Sequence, residues 1–209
     1  MKKVLLCLAL LLVLYPSISH GGLALSDEQM FVLDVARSEG TRIDYPETIQ
    51  GIGYVESKCG KYKHGPPAED FSDRYFGSYQ IKISTVRYIY TRIKEEPILM
   101  SDKQIMTRLI VDDVWSAELA TDYLGYLLNK FKNYPNPWSH AVLAYNRGPG
   151  TVKKRGLSHD PYDYVENVKR AIRKVVRPYN KFVMTVKHEK SRTPLIGIRL
   201  VNNVYTNVY

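Results

Sequence analysis

Residues 46–60 read PETIQGIGYVESKCG and place Ile49, Ile52 and Val55 at the spacing of one apolar helical stripe. Asp44 with Glu47 three residues later marks a helix start, and Pro46 is tolerated in a first turn. The stripe runs up to Glu56, where the pattern breaks. Gly60, Gly65, Pro66 and Pro67, among mixed charges, describe a loop or short hairpin over 57–76. A carboxyl held against apolar walls at such a helix end has its charged form disfavoured, so its pKa rises and it can serve as a general acid near neutral pH. Glycosidic bond cleavage needs such a group. Position alone leaves open a plain, exposed helix-end residue, so the decision falls to the rest of the chain.

Outward from this stretch the periodicity is mostly helical. Ser26 with Gln29 is a capping box before Met30, Phe31, Leu33 and Val35, predicting a helix to about Ser38. Ser84 is placed to cap a helix carrying Val86, Ile89 and Ile93, and Ser101 with Gln104 is a further box before Ile105, Met106, Leu109 and Ile110. A long helix is predicted from about Asp113 to Phe131, with Trp115, Leu119, Tyr123, Tyr126 and Leu127 at helical spacing. Two more are expected at Trp138–Tyr145 and about Tyr162–Val176, after which Pro178 closes the compact part. Residues 179–209 alternate more like strand, at Phe182–Val186 and Leu195–Tyr205. The expected fold class is mainly α, with a small loop or β-hairpin region beside a cleft and short strands in the C-terminal tail.

Two hundred and nine residues, 44% hydrophobic and 24% charged, suit one globular domain and exclude wholesale disorder, collagen and coiled coil. Only Cys7 and Cys59 are present, so no zinc ribbon or disulfide framework is available, and His64 and His140, without partners at ligand spacing, read as loop and helix-surface residues. Trp115 and Trp138 read as packing residues. Lys2 and Lys3, the apolar run Val4–Tyr15, then Pro16, Ser17 and Ser19 have the make-up of a secretory signal over 1–22, too short to span a membrane. An exported protein of the periplasm or cell envelope is therefore expected, with a domain over 23–177 and a basic extension over 178–209. Residues 23–146 carry 14 basic and 17 acidic side chains, whereas 147–209 carry 14 and 4. All the positive excess is C-terminal, and an anionic wall or membrane surface is its expected contact. Nucleic acid is not an expected partner, because no binding motif is present.

Four segments in order, IGYVES at 52–57, GSYQIKISTVR at 77–87, AYNRGPG at 144–150 and YVENV at 164–168, resemble the soluble lytic transglycosylase family of lysozyme-like enzymes over roughly residues 45–177. The resemblance implies a lysozyme-like helical domain acting on peptidoglycan glycan strands. It places Glu56 as the single catalytic acid/base, which protonates the oxygen between N-acetylmuramic acid and N-acetylglucosamine. Glu56 then accepts the muramoyl 6-hydroxyl proton as that oxygen attacks C1, leaving a 1,6-anhydro end. By the same resemblance Gln80, Tyr145, Asn146 and Tyr164 fall on substrate-binding positions. No cofactor and no metal enter this chemistry, and a secretion, conjugation or phage-entry apparatus is a further expected partner.

The departures from the family pattern are specific. Its Gly-Leu-Met-Gln segment has Ser78-Tyr79 for Leu-Met, and Lys82 stands two residues beyond Gln80, so a more polar cleft wall is expected. The 57–76 loop is long and holds Glu69, Asp70 and Asp73. Asp73-Arg74 before Phe76-Gly77 resembles the goose-type lysozymes, in which a loop Asp helps activate water. A carboxylate pair about 6.5 to 9.5 Å apart would imply inverting hydrolysis by Glu56 and Asp73 instead. A non-catalytic wall-binding or assembly protein is the alternative outside enzymes.

Overall fold

The computed structural model describes residues 24–65 and 73–192, with 187–192 as backbone only. The segments 1–22 and Leu195–Tyr205, and the acids Glu69 and Asp70, lie outside the described residues. The fold is mainly α with one two-stranded antiparallel sheet, as a lysozyme-like domain requires.

Helix α1 (Asp27–Thr41) starts at the Ser26–Gln29 capping box, in which Gln29 N donates to Ser26 Oγ at 3.2 Å and Ser26 N to Gln29 Oε1 at 3.0 Å. Helix α2 (Pro46–Ser57) follows with Pro46 in its first turn. Asp44, expected to start it, sits in a left-handed conformation outside the helix, and Tyr45 is the uncapped N-terminal residue. Strands β1 (Tyr75–Phe76) and β2 (Ile81–Lys82) form a hairpin, with Tyr75 opposite Lys82 and Phe76 opposite Ile81. Helix α3 (Ile83–Tyr88) continues into a π turn over Ile89–Lys94. Ser84 lies inside its first turn and not at the cap, because β2 runs directly into the helix through Lys82.

Helix α4 (Asp102–Val111) begins at the Ser101–Gln104 box, and α5 (Asp113–Phe131) at Asp112, whose carboxylate accepts from Trp115 N at 2.9 Å. Helices α6 (Pro137–Arg147) and α7 (Pro149–Arg155) are separated by Gly148, and α8 (Tyr164–Ala171) passes through a π turn, Ile172–Val176, into α9 (Arg177–Arg192).

The last of these corrects the sequence reading twice. Pro178 does not stop the helix, since it stands in the first turn of α9, and the wider π turn just before it absorbs the register that its missing N–H would otherwise break. Phe182–Val186 is helical and not a strand. Tyr179 and Val183, four residues apart, dock against the core, and that helical stripe overrides the β-like composition.

The core lies between α1, α2, α5, α6 and α8 and is built from Leu33, Ile49, Ile52, Leu119, Leu124 and Val168. Each such side chain contributes roughly 1.5–3 kcal/mol of burial. Helix α2 runs through this core with its apolar stripe covered. A Cβ on Gly51 would stand 2.9 Å from Ile172 Cγ1, so glycine lets the α8 region close on the C-terminal half of α2, where Glu56 sits.

Candidate active site

Glu56 occupies the last full turn of α2, one residue before the helix ends. The chain then turns through Lys58 and Cys59, both left-handed at φ 56. Ser57 clamps that exit: its hydroxyl donates to the Ser78 carbonyl at 2.7 Å and accepts from the Gly60 N–H at 2.7 Å. All three partners are buried, so the helix end and the hairpin turn are tied by bonds that water cannot replace. Glu56 is thereby carried on a rigid support.

Of the five expected site residues other than Asp73, three, Glu56, Tyr164 and Asn146, meet through direct contacts, and Tyr145 stands next to Asn146. Tyr164, the first residue of α8, donates its phenol hydrogen to Glu56 Oε1 at 2.5 Å. Asp160 sets that placement by accepting from the N–H groups of Tyr164 and Val165, at 2.8 and 3.0 Å, which caps the helix in place of an N-cap side chain. The Asn146 amide, in the last turn of α6, bonds the same carboxyl. Tyr145, beside it, donates to the Tyr79 carbonyl at 3.1 Å and tilts against Tyr123, with ring centroids 5.7 Å apart.

Electrostatics follow from this enclosure. Burial pushes the Glu56 carboxyl up to about 7 from an ordinary 4.5, while the hydrogen bonds from Tyr164 and Asn146 hold it from rising further. Burial, and next the neighbouring Glu56 charge, raise the Tyr145 and Tyr164 phenols well above their usual range, so both remain donors. The site thus holds one carboxyl poised to give up a proton at neutral pH, with two neutral phenols and one amide around it.

A cavity of about 230 Å³ opens beside this group, lined among others by Gln80, Lys82, Tyr123, Tyr145, Asn146 and Arg147. Glu56 does not itself line it; Asn146 borders the cavity and bonds the carboxyl, joining the two. Gln80 lies in the hairpin turn at φ 47, a conformation costly for a side chain with a Cβ. Its amide N–H groups are engaged by the carbonyls of Gly77, at 2.9 Å, and Tyr62, at 3.2 Å. Among the described residues no hydrogen bond engages its Oε1.

Asp73 stands at the start of the hairpin region with its side chain 63% exposed, and pairs with Lys82 Nζ at 3.0 Å. The expectation that Ser78 and Tyr79 make the cleft wall polar is corrected. Both are fully buried: Ser78 Oγ donates to Asp113 Oδ1 at 2.5 Å, Asp113 pairs with Lys63 at 2.9 Å, and Tyr79 packs in the core. The turn at Gly77 points them inward, which leaves Lys82 as the departure that reaches the cavity.

His140 is buried rather than on the helix surface. Its ring stacks on Phe131 and its Nδ1 meets the Asn136 carbonyl at 3.1 Å. Trp115 and Trp138 pack as expected, with their indole N–H groups on Tyr90 and Thr48. Cys59 is buried and its thiol is raised to about 12 by burial. Among the described residues no group of three His, Cys, Asp or Glu could hold a metal ion.

The residues missed by sequence reasoning are Ser57, Asp160 and Arg147. Ser57 and Arg147 lie inside the segments that carry the resemblance, while Asp160 lay in a loop where no periodicity marks it. The family model for the transglycosylase SLT domain matches residues 38–167. No curated protein and no solved structure matches the chain.

Proposed function

The chain belongs to the transglycosylase SLT domain family, whose action is on peptidoglycan, and from that membership we propose that it is a lytic transglycosylase with Glu56 as its acid/base. The observation that carries the reading is the Glu56 carboxyl, raised to about 7 by burial and held by Tyr164 and Asn146. At neutral pH a substantial fraction is protonated, as a general acid requires.

In the proposed reaction Glu56 gives its proton to the oxygen linking C1 of N-acetylmuramic acid to the next N-acetylglucosamine, and the C1–O bond breaks. The 6-hydroxyl oxygen of the same muramoyl unit bonds to C1 and its proton passes to Glu56, which restores the acid. No water is consumed, and the products are a 1,6-anhydro-muramoyl end and a free 4-hydroxyl. One carboxyl therefore suffices, unlike the two-carboxylate scheme of most glycosidases. Tyr145 and Asn146 border the sugar cavity, where their groups suit hydroxyl and acetamido partners, and Gln80 presents its carbonyl oxygen. Tyr164 acts on the acid itself.

Asp73 is 63% exposed and is not among the described residues that line the cavity beside Glu56, which supports this reading over the hydrolase. The protein works outside the cytoplasm, in the periplasm or cell envelope where its polymer lies, in keeping with the export signal read at 1–22. An envelope-spanning secretion, conjugation or phage-entry assembly is a setting that would need such a local opening of the wall.

The test is mass spectrometry of soluble products from purified peptidoglycan incubated with the mature protein and with Glu56→Gln. Anhydro-muramoyl fragments, lighter than hydrolytic ones by one water and lost in the variant, are expected. Reducing-end fragments would make the protein a hydrolase and promote Asp73, and no products at all would leave a wall-binding protein.

A further inference from the structure

Two cations of unlike circumstance border the cavity beside Glu56. Lys82, at the end of β2, stands with its ammonium 4.9 Å from the centre of the Tyr75 ring and already holds a carboxylate, that of Asp73, at 3.0 Å. Arg147, in the last residue of α6, has no acidic partner among the described residues. Among the described residues its Nε is buried without a hydrogen-bond acceptor, and its guanidinium lies 5.8 Å from the centre of the Tyr162 ring. A buried guanidinium N–H with no acceptor is unusual, because Arg is a five-donor fork whose best match is a carboxylate.

We propose that Lys82 and Arg147 form a carboxylate-reading subsite of the cleft, which selects glycan strands bearing acidic substituents over neutral ones. The inference rests on the transglycosylase reading for the identity of the polymer, and on the cavity alone for the chemistry. Asp73 shows what Lys82 accepts: an exposed, single ion pair on the hairpin side is worth little in water and exchanges readily for a ligand carboxylate. Arg147 supplies the second contact with no carboxylate to displace among the described residues. In a glycan strand of this polymer the acidic groups are of two kinds, the lactyl carboxylate of a muramoyl unit without its peptide and the carboxylates of the stem peptide. Both present the same planar anion.

Equilibrium binding to the full-length Glu56→Gln protein tests this, since binding needs the cleft and not turnover. The probes are three strands of equal length: a neutral N-acetylglucosamine oligomer, a muramoyl strand stripped to its lactyl carboxylates, and a strand with stem peptides. Tighter binding of an acidic strand than of the neutral one, by about tenfold, is expected. Lys82→Met and Arg147→Met should each remove most of that preference while leaving the neutral oligomer's affinity within about twofold, Lys82→Arg should keep it, and rising salt should erode it. Asp73→Asn, which frees Lys82, should tighten the acidic strands alone. Preference for the stripped strand names the lactyl group as the source, and preference confined to the third strand names the peptide. Equal affinity for all three, or variants that weaken all three alike, would overturn the subsite. Turnover by the unsubstituted protein is scored separately: products without carboxylate preference sink this inference only, and carboxylate preference without products sinks the transglycosylase only.

Discussion

The behaviour of Glu56 with pH is the most direct expression of its surroundings. Its carboxyl sits at about 7 in the folded chain against an ordinary 4.5, so between those values the native state holds a proton that the unfolded chain has lost. Stability from this group is therefore complete below the unfolded value and declines as pH rises through about 7. Glu56→Gln, which cannot ionise, should be more stable than the parent by about 1–3 kcal/mol at pH 8 and equal to it near pH 4, in urea titrations at the two pH values. In the proposed reaction the acid form of Glu56 is the one that reacts, so activity should fall along an alkaline limb near the same pH. Tyr164→Phe removes a hydrogen bond that favours the carboxylate, so the limb should move upward while the protein remains folded, and a pH profile of kcat/KM reads the shift.

At the scale of elements, the short hairpin does more for the site than its two-residue strands suggest. Gly77, at φ +77, passes so close to α4 that a Cβ would lie 2.2 Å from the Leu109 carbonyl oxygen. That approach brings Ser78 under the Ser57 clamp and aligns Gln80 with the cavity. Gly77→Ala combines a disfavoured φ with a backbone clash, and a loss of about 2–4 kcal/mol is expected by denaturant unfolding. Gly150→Ala is the control, because a Cβ there meets nothing within 4 Å, and it should change stability by less than about 1 kcal/mol.

Across the whole molecule, α9 closes the core from the far end of the chain. Tyr179 is 4% exposed and donates to the Met30 carbonyl at 3.2 Å, while Asn180 and the buried Gln50 bond each other through both amides, at 2.9 and 3.0 Å. A chain ended after Arg177 loses a buried aromatic ring and leaves the Gln50 carbonyl oxygen without its donor. Truncation there should cost about 3 kcal/mol or more and lower Tm by roughly 6–12 °C, measured by thermal unfolding against the full chain.

What could be read without a structure was whatever is encoded locally or in short ordered segments. Capping boxes at Ser26 and Ser101, the 3.6-residue stripe of Asp113–Phe131 and the helix-end position of Glu56 depend on neighbours a few residues away, so the chain declares them directly. The mainly helical class followed from them. The inward turn of Ser78 and Tyr79, the burial of His140, the helical state of Phe182–Val186 and the cap that Asp160 gives α8 were not legible. Each depends on which distant surface a segment meets, and burial against that surface outweighs a local preference of a fraction of a kcal/mol per residue. By itself the sequence determined that a carboxyl would stand at the end of an apolar helix. Only tertiary structure decided that α6 and α8, more than 80 residues downstream, would enclose it and raise its pKa, because desolvation is a property of the assembled walls.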